Sequence, residues 1–224
     1  MNTFLKQFTL SAFIIFSGSL LFAQSFDLSQ LSTPIIFKGD SVTAYRDPAI
    51  LFHNDVFYLY FTLVEIEPNG SIYSYTAQSR SKDLIEWSTP EKITVRDQSM
   101  NFSSPGNIIR YENDWIICVQ TYPRLDYKVE QMPRYGDENS RIFIMKSKDL
   151  KKWSSPEVIM VKGNDIPVSK MGRMIDPYII EDKDATGKYW CFYKQNGVSL
   201  SYSYDMKNWT FFGSTKSGDR KSVV

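Results

Sequence analysis

An all-β fold of the propeller type is predicted by three observations. A turn motif returns three times, aromatic-rich strands recur at matching places between the turns, and no segment carries helical hydrophobic periodicity. The turn reads SRSKDLIEWSTPEKI from Ser79 to Ile93 and returns as MKSKDLKKWSSPEVI from Met145 to Ile159. It returns more weakly as SYSYDMKNWTFFG from Ser201 to Gly213. Its tryptophans, Trp87, Trp153 and Trp209, fall 66 and 56 residues apart. Repeats longer than about 40 residues and built only from strands point to propeller blades.

Each repeat follows one order. A first strand opens at a proline: Asp47-Pro48, Ser104-Pro105 and Asp176-Pro177. A second strand is dense in aromatic and β-branched residues, as in VFYLYFT, DWIICVQTY and KYWCFYKQ, and the intervening turns carry Asn, Asp or Gly. A third strand follows, then the Ser-Lys-Asp-Leu turn, whose aspartate is expected to accept backbone N–H bonds. The tryptophan after it is expected to cover the blade edge as a structural residue. An outer strand closes the unit. Three such units do not close a ring, because known closures take about four blades or more. The expectation is a five-bladed β-propeller of which about three blades are present.

The chain ends carry their own signals. Residues 1–24 have Lys6, an apolar stretch from Phe8 to Phe22 and a small residue at Ala23, the layout of a secretory signal peptide. That stretch is shorter than the roughly 20 residues that span a bilayer, so a secreted or periplasmic chain is expected, with the propeller over 25–218. The last six residues, DRKSVV, match the translation of a common short-read sequencing adapter, so 219–224 is read as a non-native tail. Cys118 and Cys191 leave a disulfide open. Their places in corresponding strands of different repeats favour two buried free thiols in separate layers.

Lysine and arginine number 26 against 25 aspartates and glutamates, with the basic residues scattered. This gives no electrostatic footprint for nucleic acid or an anionic membrane, and points to neutral ligands. Aromatic residues make up 15% of the chain, which suits a β-rich core and stacking surfaces for sugars.

The two Asp-Pro strand openings, the SKDL…W turns and the aromatic second strands, in this order over residues 30 to 213, resemble the five-bladed propeller glycosidases, especially glycoside hydrolase family 43. The resemblance implies hydrolysis of plant or algal oligosaccharides by acid–base chemistry, with no cofactor and no metal. It implies that Asp47, in YRDPAI, is the general base. Asp176, in MIDPYIIEDKDATGKYW, would orient the catalytic acid and tune its pKa. The family's acid is a Glu in a later blade, beyond this sequence, so the chain as given is expected to be inactive. Related propellers that cleave fructans or phosphorolyse mannosides remain alternatives, as does a carbohydrate-binding propeller without catalysis.

Further candidates surround the pair. Arg46 and Arg173 flank the aspartates and are candidates to bind sugar hydroxyls or hold the carboxylates. Gln120, Tyr122, Lys194 and Gln195 end second strands and are candidates for the funnel rim. Ser104 and Gly106 replace the acidic residue in the middle repeat, so that blade is expected to shape the pocket. Glu181, Asp182 and Asp184 lack EF-hand ligand order. His53, the sole histidine, is placed in an exposed hairpin turn, which argues against a Ser-His-Asp triad.

Overall fold

The computed structural model describes residues 28–215, apart from 32, 133–138 and 196. The expected signal peptide and terminal hexapeptide lie outside the described residues. Three antiparallel sheets follow one another along the chain. Sheet one orders β1 (Thr43–His53), β2 (Val56–Ile66), β3 (Ile72–Ser81) and β4 (Glu91–Lys92) as a meander. Sheet two is built on β7 (Asp114–Thr121), β8 (Ile142–Ser147) and β9 (Glu157–Val158). Its first strand is split into β5 (Phe102–Ser103) and β6 (Ile108–Tyr111), both paired with β7. Sheet three repeats the simple meander with β10 (Ile175–Glu181), β11 (Tyr189–Lys194), β12 (Val198–Ser203) and β13 (Trp209–Ser214). Each sheet is thus the meander unit expected of a propeller blade.

The strand openings share one backbone device. Asp47, Ser104 and Asp176 all have left-handed φ, at 52°, 41° and 54°, and each precedes a proline. Side chains other than glycine rarely adopt this region. The following proline has no N–H to give the ladder, so pairing must skip there. In sheets one and three the register accordingly shifts between Arg46 and Ala49 and between Ile175 and Tyr178. In sheet two the same device splits the strand outright. A bulge of this kind re-aims a side chain relative to the strand's ordinary alternation.

The recurring turns are near copies of one another. Asp83 Oδ1 accepts the N–H groups of Ile85 and Glu86, both at 2.9 Å. Asp149 Oδ1 accepts from Lys151 and Lys152 at 2.9 and 2.8 Å, and Asp205 Oδ1 from Lys207 and Asn208 at 2.9 and 2.7 Å. The next residues, Leu84, Leu150 and Met206, are left-handed in all three. The backbone N–H groups hold all three carboxyls below the usual aspartate range.

Sheet one packs on sheet two through Tyr58, Tyr60, Phe102, Ile117, Val119, Met145 and Leu150. The buried Tyr60 hydroxyl donates to the carbonyl of Leu150 at 3.0 Å, in the middle turn. Sheets two and three share a larger core that includes Ile116, Cys118, Ile144, Met174, Ile179 and Cys191. Asn107 joins these two sheets as a strand would: its amide bonds both the carbonyl and the N–H of Ile179. Gly106 lies against the Pro177 carbonyl so closely that any side chain would collide with it.

Two sequence expectations are corrected here. Cys118 and Cys191 are free and buried as expected, but they sit in one core cluster between sheets two and three, not in separate layers. Opposed faces of neighbouring sheets, not one sheet's two sides, bring them together. His53 ends β1 and is half-buried, its ring 4.7 Å from that of Trp115. The hairpin turn is Asn54-Asp55, with φ of 48° and 58°, the left-handed pair of a two-residue β-turn. Among the described residues no helix is long and apolar enough to cross a membrane.

Candidate active site

The three strand-opening residues meet. Asp47, Ser104 and Asp176 line two adjoining cavities, of about 480 and 520 Å³, and are common to both. The smaller is walled by Pro48, Pro105, Pro177 and their neighbours, where the first strands of all three sheets converge. The larger opens toward Arg46, Thr62, Gln120, Tyr122, Arg124 and Tyr127. Both volumes fall within the range of small-molecule sites, about 300–1,000 Å³.

Asp47 is held by two sheets. Its Oδ2 accepts from the hydroxyls of Thr62 and Ser104, each at 3.0 Å, and Arg46 Nε lies 3.9 Å away. All these contacts fall on one oxygen, so Oδ1 has no such partner among the described residues. The carboxylate of Asp176 is exposed and accepts no hydrogen bond from the described residues, whereas its backbone N–H donates to Gln120 Oε1 at 2.6 Å.

That last bond is part of a repeat invisible in the sequence. Thr62 pairs with Arg46 in the sheet-one ladder, and Gln120 pairs with Ser103 in sheet two. Each faces the residue just before a bulge. Thr62 Oγ1 accepts the N–H of Ser104 at 2.6 Å, as Gln120 Oε1 accepts that of Asp176. One ladder position in each sheet therefore fixes the bulged residue of the next. Lys194, opposite Ile175, occupies that position in sheet three.

The structure divides the remaining candidates. Arg46, Gln120 and Tyr122 line the larger cavity. Arg173 does not, and supports it instead by donating from Nη2 to the Tyr122 hydroxyl at 2.7 Å. Lys194 is exposed and lines neither cavity. Gln195 turns away to bond the Met171 carbonyl at 2.8 Å, close against Gly172. Glu181, Asp182 and Asp184 belong to the β10–β11 turn: Asp182 accepts from the Trp190 indole N–H at 2.8 Å and Glu181 from the N–H of Gly187 at 2.9 Å. No group of three His, Cys, Asp or Glu residues is placed to hold a metal ion among the described residues.

Sequence reasoning missed Thr62, Arg124 and Tyr127. Thr62 had a signal, as a polar residue inside the apolar run YLYFTLV. Arg124 and Tyr127 lie in the loop after β7, outside any repeat.

No family model matches this sequence, and no curated protein does. Solved structures do match in fold. One is a glycoside hydrolase of the GH130 mannoside phosphorylase family that targets β-1,2 mannosidic linkages in Candida mannan. It is 18% identical over 77% of this chain and 50% of its own, with a TM-score of 0.58. An exo-1,5-α-L-arabinanase from a bovine ruminal metagenomic library is 18% identical over 80% and 56%, at 0.51. An N-acetylgalactosamine deacetylase from F. plautii is 12% identical over 79% and 54%, at 0.56. At these identities the likeness is one of fold, and a fold hosts several chemistries. The chain spans about half the length of the solved structures it matches.

Proposed function

We propose that this chain supplies three blades and two catalytic carboxylates of a five-bladed glycoside hydrolase of the family 43 type. The observation that carries the reading is the placing of Asp47 and Asp176. They stand on matching bulges of different sheets and line the same two cavities. Several fold neighbours that act on glycosides support it.

In this reading a water in the larger cavity gives its proton to Asp47 Oδ1 as its oxygen attacks the anomeric carbon. The hydroxyls of Thr62 and Ser104 hold the carboxylate by its other oxygen. The glycosidic C–O bond breaks on the opposite side, and the leaving oxygen takes a proton from an acid across the cavity. That acid is a Glu from a further sheet outside these 224 residues. A negative charge near such an acid keeps its proton on at neutral pH. The carboxylate of Asp176, free of protein hydrogen bonds among the described residues, fits that role. Arg46, Gln120 and Tyr122 bind the sugar's hydroxyls, and Arg173 fixes Tyr122.

The test compares the 224-residue chain with the protein encoded by the gene extended downstream, on arabinosyl, xylosyl and galactosyl aryl glycosides. The short chain should show no turnover. The extended protein should show it, and should lose it in Asp47→Asn. Turnover by the short chain, or by the extended Asp47→Asn form, would overturn the reading. Binding without turnover in the extended protein would mark a carbohydrate-binding propeller, and turnover that requires inorganic phosphate a phosphorylase.

A further inference from the structure

The larger cavity holds a cation that the reading above does not use. Arg124 lines it, with its guanidinium 4.7 Å from the ring of Tyr122 and 4.8 Å from that of Tyr127. Its Nε is buried without a hydrogen-bond partner, and among the described residues no carboxylate lies within ion-pair distance of it. The two tyrosine faces offset part of its charge. They accept none of its N–H donors in the plane of the guanidinium, where up to five are available. Arg46, by contrast, already faces Asp47.

The surroundings make this a built position. Arg173 lies 5.7 Å from the same Tyr122 ring and fixes its hydroxyl, so the ring has a cation near it on two accounts. The Arg124 backbone is tied down as well: its N–H donates to the Gln98 carbonyl at 2.9 Å, and its carbonyl accepts from Tyr127 at 3.2 Å. A stacked, anchored guanidinium with unused donors in a sugar-sized cavity matches an oxyanion, which a planar fork binds through two parallel hydrogen bonds.

We infer that Arg124 forms an oxyanion subsite, and that the sugar accepted here carries a carboxylate, as in a uronic acid, or a sulfate ester. This rests on the carbohydrate reading above. It also departs from the chain's balanced charge, which pointed to neutral ligands, because a local cation outweighs a global sum inside a cavity.

Equilibrium dialysis of the 224-residue chain tests it, with labelled methyl glucuronide, methyl glucoside, methyl glucoside 6-sulfate and inorganic phosphate as probes. The charged glycosides should bind about 10- to 100-fold more tightly than the neutral one, the worth of one charge-assisted pair. The arm that binds tighter tells carboxylate from sulfate. Arg124→Gln should bring the ratio of charged to neutral binding down to about one, while Arg124→Lys should keep part of the preference. A merely structural arginine would lower both alike. If a variant fails to fold, the wild-type preference must still shrink as salt is raised. Equal binding of charged and neutral glycosides, a preference that survives Arg124→Gln or high salt, or binding of phosphate alone would overturn the inference. Such a failure leaves turnover and its loss in Asp47→Asn untouched, so the two readings fail separately.

Discussion

The chain repeats two devices three times each, and they differ in what they allow to vary. The Ser-x-Asp turns are copies down to the two backbone N–H bonds on each aspartate. The strand openings repeat their backbone as closely, with the same left-handed residue before a proline, yet their side chains change from Asp to Ser to Asp. A side chain that is a backbone acceptor cannot change without cost to the fold. A side chain that a bulge aims into a cavity can, and there the proposed chemistry sits. Even the turns lend one part to assembly. Trp87 and Trp209 donate their indole N–H to the carbonyls of Leu84 and Met206, at 3.1 and 3.2 Å. In the middle turn the matching carbonyl of Leu150 is taken by Tyr60, and the Trp153 N–H has no partner among the described residues.

The largest effect should separate openings from turns by activity. In the downstream-extended protein, Asp47→Asn and Asp176→Ala should each lower kcat by roughly 10²–10⁴-fold, the usual contribution of acid–base groups, while melting as the parent does. Asp149→Asn should leave kcat and KM unchanged. A turn variant that lost activity without losing stability would break the distinction.

Next come the openings as structural joints. Gly106→Val should destabilise the chain by about 3 kcal/mol in urea titration, since the new side chain meets the Pro177 carbonyl and backbone must shift to admit it. A smaller loss, about 1–3 kcal/mol, is expected for Gln120→Leu, which leaves the Asp176 N–H without its acceptor. Thr62→Val should cost a similar amount by freeing the N–H of Ser104.

Smaller differences test the turns. Trp209→Phe should cost about 1 kcal/mol more than Trp153→Phe, because only the former gives up an indole hydrogen bond. Equal costs would show that the borrowed Leu150 carbonyl is immaterial. Finally, the turn carboxyls of Asp83, Asp149 and Asp205 are depressed in the folded chain by backbone N–H bonds. Their stabilisation is therefore complete above the ordinary aspartate pKa of about 3.9 and fades as pH falls through the lower folded values. Changing all three to Asn should lower the neutral plateau of stability against pH and flatten its acid limb, so that variant and parent converge at low pH.

Much of this architecture was legible before the fold. The repeat of Ser-x-Asp with a following tryptophan, and strand alternation between polar turns, specify meander sheets because both act over a few residues. The residues Asp47 and Asp176 stood out for the same reason: an acidic residue before a proline marks a break in the ladder wherever the strand lies. What tertiary structure alone decided is the company they keep. Thr62 and Ser104 reach Asp47 from positions 15 and 57 residues away, and Gln120 reaches Asp176 across 56. Lys194 and Gln195 looked equivalent to Gln120 and Tyr122, yet they line neither cavity. Side chains alternate along a strand, and a one-residue bulge inverts that alternation. Whether a strand-end residue meets a cavity then depends on which sheet packs beside it. Sequence reports the period of a strand, and only the packed sheets report what faces it.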